Sequence, residues 1–490
     1  MPSKPTTRWQ VSGYRFLVRR MEHALVRRDV RMLHDPMKSQ SRAYAVGLVL
    51  ALVVLAGCGV LALLRPQDKI GNNTILIGKE SGGVYVVIGD TVHPALNLAS
   101  ARLAAGEAAK PAIVKESELG KKPRGQLIGI PGAPAALLFD KKGTGRAWTV
   151  CDQLEVDGGG GLSTSVLVGD PDTGEKADAL PAERALLVQG RDSAYLIYDG
   201  KRARVEMTSR AVTDALGITG ETPRPVSDGL LNAVPEVLPL VAPRIEGAGT
   251  APGYPIGDYQ IGDVVQVPTT EEYYAVLSDG LQPISPLTAD IIRNSTPGSG
   301  NTTIQQTART RANVSSALAV EHYPRTAPEL VTDKERPVSC LTWRPIAAAA
   351  GSEDGARRAE LEVLTGVDLP LPDDARTVPL AKADGSGPNA DAVYLKPSTG
   401  AYVQSTGIEP DSSRRDSLFY VGDTGVRWGI KNAEAAKALG MEGIPAEPAP
   451  WPIVGLLAAG PSLGREEAMV AHDGVAPDPS PADQPVAAER

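Results

Sequence analysis

The sequence predicts an α+β protein: a single transmembrane helix, then a large exterior region of four β-hairpin/helix repeat modules around a central, mainly β domain. Three observations carry that expectation. Positions 43–64 form an unbroken run of 22 uncharged, mostly apolar residues closed by Arg42 and Arg65. Charge divides unevenly across the run. Beyond it, a strand–turn–strand–helix pattern returns four times.

The chain begins with a basic segment, 1–42, holding Lys4, Arg8, Arg15, Arg19, Arg20, Arg27, Arg28, Arg31, Lys38 and Arg42 against Glu22, Asp29 and Asp35. That is a net +7, and the whole chain is −8, so the remainder carries −15. Within the segment, Val11, Tyr14, Leu17, Val18, Met21, Leu25 and Val26 recur at helical spacing. They predict an amphipathic helix with its arginines elsewhere on the surface. Such a helix suits either an anionic lipid surface or a docking partner. Tyr14, Leu17, Met21 and Leu25 are the candidate docking residues.

The run at 43–64 comes next. At about 1.5 Å per residue it covers roughly 33 Å as a helix, enough for the hydrocarbon core of a bilayer. Basic flanks stay in the cytoplasm, so 1–42 is expected inside and the acidic remainder outside. Leu55-Ala-Gly-Cys58 also spells a lipoprotein processing site. Against that alternative stand a leader far longer than an ordinary charged n-region and an apolar stretch that continues past Cys58.

The exterior region, 65–473, is organised by self-similarity. Its four copies are expected near 75–125, 185–220, 265–300 and 390–445. Tyr85, Tyr195, Tyr274 and Tyr420 each open a β-rich run that ends at a turn containing Gly89, Gly200, Gly280 or Gly425. Glycine supplies the positive φ that tight hairpins need. A second strand and a helix follow, with Asn97, Thr208, Thr288 and Asn432 placed to start the helices and Gly106, Gly217 and Gly440 placed to end three of them. Each copy is too small to bury its own apolar face, so it must pack on a neighbour or a shared core. Their uneven spacing suits modules around a central domain better than a regular solenoid. Linkers are expected at 157–161, 243–257, 296–303 and 385–390, and the Pro/Ala/Asp-rich tail 474–490 reads as disordered.

Outside the apolar run the cysteines are Cys151 and Cys340. An oxidising compartment makes a disulfide between them the default. The acidic balance gives no reason to expect nucleic acid as a partner. Gly78-Lys79, Gly120-Lys121 and Gly200-Lys201 lack the upstream Gly and following Ser/Thr of a phosphate-binding loop. Gly460-Pro-Ser462-Leu-Gly464 has the letters of a nucleophile elbow, but Ser462 reads better as a capping residue. His93, His322 and His472 form neither a metal-ligand spacing nor a triad. No catalytic, metal or cofactor-binding residue is expected.

Several segments resemble one family. Val11-Ser-Gly-Tyr-Arg-Phe-Leu-Val-Arg-Arg, Asn97-Leu-Ala-Ser-Ala-Arg-Leu, Gly129-Ile-Pro-Gly-Ala-Pro134, Trp148-Thr-Val-Cys151-Asp, Val226-Ser-Asp-Gly-Leu-Leu-Asn-Ala-Val-Pro235 and Asp423-Thr-Gly-Val-Arg427 look like EccB, the single-span membrane component of the mycobacterial type VII (ESX) secretion system. The resemblance runs in order from about Thr7 to His472. It implies assembly with EccC, EccD and EccE in the inner membrane, repeat modules around a central domain in the periplasm, and a disulfide matching Cys151 and Cys340. It further implies homodimers or higher oligomers and a module fold similar to phage-lysin wall-binding domains, hence peptidoglycan as a further partner. Family members are often labelled ATPases, which would make ATP a cofactor; the residues give that label no support. The expected role is a structural core subunit, the alternatives being an ATPase, a wall-binding module or a lipoprotein.

Overall fold

The computed structural model describes residues 7–31, 36–64, 69–139, 145–155, 161–296, 301–346, 358–381, 383 and 388–474. Arg65, most of the 157–161 linker, positions 297–300 of the 296–303 linker, half of the 385–390 linker and the tail after Gly474 lie outside these described residues. The chain divides into two units, Met1–Lys69 and Ile70–Arg490.

The first unit is helical. Thr7 opens the helix Arg8–Arg27 with a capping box: its hydroxyl accepts from the Gln10 N–H, and the Gln10 side chain accepts from the Thr7 N–H. Arg28 closes it in the left-handed region, φ 53°. A second helix spans Pro36–Leu64, of which Ser39–Leu61 is long and apolar enough to cross a membrane. The helix starts at Pro36, ahead of the apolar run, so Arg42 lies within it, immediately before that run.

The second unit is β-rich, with five sheets among its described residues. In four of them the chain takes the same course: three antiparallel strands, a helix, then a short strand that returns parallel to the first. In the first outer sheet these are Ile75–Gly78, Val84–Ile88 and Thr91–Ala95, the helix Leu98–Ala105, and Ala112–Val114. The second has Arg184–Gln189, Ala194–Tyr198 and Lys201–Val205, the helix Arg210–Ala215, and Arg224–Pro225. The third has Val264–Val267, Glu272–Val276 and Leu281–Ile284, the helix Pro286–Ser295, and Asn301–Thr303. The fourth has Gly400–Thr406, Leu418–Gly422 and Val426–Ile430, the helix Ala433–Leu439, and Glu447–Pro450.

Local chemistry explains these elements. Asn97 and Asn432 accept from the N–H three residues on, and Gly106 and Gly440 end their helices at φ 75° and 92°. Asp199 and Gly200, at φ 47° and 69°, form the hairpin tip of the second sheet. Two helix starts differ from the expectation. Ser209 rather than Thr208 occupies the cap position of the second-sheet helix, without a side-chain cap bond, and Ser285 caps the third, accepting from the Thr288 N–H and followed by Pro286 at the first turn. Within the 296–303 linker, Asn301–Thr303 pair as a strand, because the first strand of that sheet needs a partner on its open edge.

The seven-stranded sheet lies at the centre, ordered Val378–Pro379, Ala392–Leu395, Leu162–Val168, Trp148–Leu154, Val338–Pro345, Ala359–Gly366, Ala177–Ala179. One core joins its Trp148, Val150 and Leu341 to Leu186 and Ile197 of the second sheet and to Val403 and Val421 of the fourth. A separate core joins the first and fourth sheets through Leu103, Trp428 and Leu439. Another joins the second and third through Tyr198, Val212 and Ile291. The order through space is thus first, fourth, centre, second, third. The C-terminal strand Ala471–His472 pairs with Leu127–Ile128, so the chain's last described strand completes its first sheet.

Candidate functional site

The helix Arg8–Arg27 presents the apolar side chains on which docking was expected. Tyr14, Leu17, Met21 and Leu25 are 71%, 58%, 64% and 83% exposed, and Trp9 near its start is 87% exposed. Tyr14, Leu17, Met21 and Leu25 lie on one helical face. An uncovered apolar stripe on a basic helix suits a protein or membrane surface rather than small-molecule chemistry.

In the second unit a buried polar constellation lies beside the disulfide. Cys151 and Cys340 sit directly opposite each other on neighbouring central strands, bonded at 2.05 Å across a sequence separation of 189. Both are buried against Leu167, Val338, Leu364 and Leu371. The next residue, Asp152, is 1% exposed. Its carboxylate accepts from the Thr164 hydroxyl at 2.9 Å, the Ser227 hydroxyl at 2.8 Å and the Ser227 N–H at 2.6 Å. Ser227 in turn caps the helix Asp228–Ala233, accepting from the Leu230 N–H at 3.0 Å. Buried Arg224 donates to the carbonyls of Arg336 at 2.9 Å and Pro337 at 2.8 Å, just before the Cys340 strand.

Burial pushes the Asp152 carboxyl up, opposed by its hydrogen bonds and by Arg224. Burial likewise pulls the Arg224 guanidinium down, opposed by Asp333 and Asp152. These groups bring together no nucleophile, base and substrate cavity. They fasten the second outer sheet to the centre. Sequence reasoning overlooked Asp152 and Arg224 because their partners lie 75 and 112 residues away. The available signal was Ser227-Asp-Gly ahead of a Leu pair, which reads as a helix start.

The other candidates are dispersed. Gly78 ends a strand, Gly120 closes a one-turn helix and Gly200 forms a hairpin tip. None leads directly into a helix, which a phosphate-binding loop requires. Lys201 lies with its ammonium 4.9 Å from the Tyr198 ring centroid. Gly464, not Ser462, occupies the capping position of the helix Arg465–Ala468, because the turn after the Ile430–Leu463 bridge carries the chain one residue further before it coils. His93 Nδ1 lies 3.1 Å from the Gln126 carbonyl, and His472 Nε2 lies 2.8 Å from that of Gly129. His322 stands at the junction of the second and third sheets.

Comparison with known proteins places these features in a family. Residues 3–477 match the family model described as type VII secretion system ESX-1, transport TM domain B. The chain is 42% identical to the ESX-3 secretion system ATPase EccB3 of Mycolicibacterium smegmatis, covering 97% of this chain and 92% of that one. It is 36% identical to the ESX-1 secretion system ATPase EccB1 of Mycobacterium tuberculosis, covering 99% and 98%. Among solved structures it is similar to a chain of an intact ESX-5 inner membrane complex, at 33% identity and a TM-score of 0.76 over 99% of both chains. It is also similar to an EccB3 dimer from the ESX-3 core complex, at 38% identity and a TM-score of 0.69 over 81% of this chain and 100% of that one. With one candidate membrane helix among the described residues, a β-rich second unit and this end-to-end likeness, the chain belongs to the EccB family of type VII secretion membrane proteins.

Proposed function

We propose that this chain is a core structural subunit of a type VII (ESX) inner-membrane complex. The single observation that carries this reading is the likeness, along 99% of both chains, to a chain of the intact ESX-5 inner membrane complex. The helix within Pro36–Leu64 crosses the membrane once, with 1–42 in the cytoplasm and the exterior unit in the periplasm. Positive charge on the N-terminal side supports that orientation. The four outer sheets are copies of one module set around the seven-stranded central domain; their shared strand order supports it.

Assembly is the work of this subunit. The exposed Tyr14, Leu17, Met21 and Leu25 stripe docks the chain to the sibling membrane subunits EccC, EccD and EccE. The exterior unit pairs with further copies of itself, a reading supported by the dimeric form of the EccB3 neighbour. The word ATPase in the relatives' names finds no support in the Gly-Lys pairs, and the chain needs no nucleotide of its own in this role. Tyr274 and Tyr420 are buried in cores, so their rings do not offer an open stacking face for a wall glycan.

The test is co-purification. Full-length chain and a version lacking residues 7–31 would each be isolated with the sibling subunits from the native envelope. EccC and EccD should accompany the full chain and be lost from the deletion. Unchanged recovery with the deletion would refute the docking role. In the same preparation, ATP hydrolysis by the full chain in nanodiscs, freed of EccC, should be at background.

A further inference from the structure

The second and third outer sheets are joined by a short crossing segment tied to both by buried polar side chains. At its start, Gln282 of the third sheet, 4% exposed, accepts from the Leu318 N–H at 2.8 Å and donates to the Leu318 carbonyl at 2.7 Å. At its end, Tyr198 of the second sheet donates to the His322 carbonyl at 2.5 Å. Tyr323 donates to the Val241 carbonyl at 2.6 Å and accepts from the Val241 N–H at 3.3 Å. Leu318, Val320 and Tyr323 fill the core between the two sheets. Residues 318–323 therefore hold one end in each sheet.

The His322 imidazole lies in this crossing. It meets the Tyr323 ring edge-on, centroids 4.7 Å apart, and its Nε2 is buried without a hydrogen-bond partner. The strand Glu236–Leu240 faces it with main-chain groups of Leu238 and Pro239, and the strand Lys201–Val205 contributes the Lys201 ammonium. The other titratable groups at the junction include the phenols of Tyr198 and Tyr323, with Asp199 acting on Tyr198, and the exposed Glu321 carboxylate next to His322 in the chain. Glu236, on the same strand as Leu238, is occupied by Arg202 at 2.8 Å.

We propose that the 318–323 crossing is an acid-released latch, with His322 as its proton acceptor, that sets how firmly the third sheet is held to the second. Protonating the ring puts a positive charge on a partly buried imidazole whose Nε2 is enclosed without a hydrogen-bond partner, next to an ammonium of like charge. Burial first, and Lys201 after it, hold the imidazole below its ordinary value, while the Pro239 and Leu238 main chain opposes them. A histidine depressed in the folded state stabilises the junction above its ordinary pKa, about 6.5. That contribution is lost as pH falls through this value toward the folded one. The latch faces the medium outside the cell membrane, where pH is not held by the cytoplasm.

The experiment uses the full chain in nanodiscs and amide hydrogen exchange at pH 7.5 and 5.5, corrected for intrinsic rates. Peptides covering 236–240 and 318–323 are compared with the central strand Trp148–Leu154. Protection at the two junction peptides should fall severalfold on acidification while the central strand holds. His322→Gln keeps a polar side chain that does not titrate, and its junction protection should be the same at both pH values. His322→Phe should behave likewise, and if it fails to fold the glutamine variant decides alone. A wild-type junction indifferent to pH, or a His322→Gln variant with the wild-type response, would overturn the proposal.

Discussion

The junction of the first and fourth outer sheets and that of the second and third use the same topology but different chemistry. In the first–fourth junction, Tyr420 and Trp428 stack at 5.7 Å, and the Trp428 indole N–H donates to the Gly132 carbonyl at 2.9 Å. Leu103, Ala435 and Leu439 complete an apolar contact between two helices. A segment reaching over from the first sheet is tied to the fourth, as Tyr420 both donates to the Leu138 carbonyl and accepts from its N–H at 3.1 Å. In the second–third junction the tie is 318–323, held by a buried glutamine and two tyrosines and carrying a histidine. One strand order is thus compatible with a mainly aromatic and apolar joint and with a polar joint that carries a histidine. The difference arises from what fills the gap, not from strand order.

Mutations can break that contrast. Replacing both Cys151 and Cys340 with alanine should have the largest effect, because the bond closes a loop of 189 residues in the sheet both junctions lean on. The loss expected is about 2–5 kcal/mol, read as a fall in thermal midpoint with protection lost on both sides of the centre. Trp428→Ala should cost roughly 3–4 kcal/mol by leaving a cavity, with exchange rising in the first and fourth sheets alone. Gln282→Leu should cost about 1–3 kcal/mol, since it strands the buried N–H and carbonyl of Leu318, and should loosen only the second–third side. Asp152→Ala would leave the Ser227 N–H unpaired for about 1–3 kcal/mol and act where the second sheet meets the centre. Lys437→Met is the control: its pair with Glu442 at 2.9 Å is largely exposed, so the change should stay below about 0.5 kcal/mol.

The sequence revealed the middle of each outer sheet and concealed its edges. The Tyr-bearing strand, its turn and the following helix announce themselves through β-rich runs, glycine and Asn caps. The returning strands do not. Arg224–Pro225 and Glu447–Pro450 are short and contain proline, which removes a ladder donor and suits only an edge, so no alternation marks them. Thr288 looked like a helix start because the true cap, Ser285, is followed by a proline and a leucine that also suit a turn. Cys151 and Cys340 pointed at the central sheet, but Asp152, Arg224 and Gln282 could not be read locally. Each is an ordinary polar residue until the fold brings a distant carbonyl or hydroxyl against it. The docking stripe was legible for the opposite reason: it depends only on helical periodicity.

The central claim is that one membrane crossing leaves a small basic foot inside and a large β-rich unit outside. It is tested most directly by substituting Ser12→Cys in one version of the full chain and Ser412→Cys in another, each with Cys58→Ala, and adding a membrane-impermeant maleimide to intact spheroplasts. The account predicts labelling at position 412 without lysis and at position 12 only after lysis. Labelling at 12 in intact cells, or protection at 412, would contradict it.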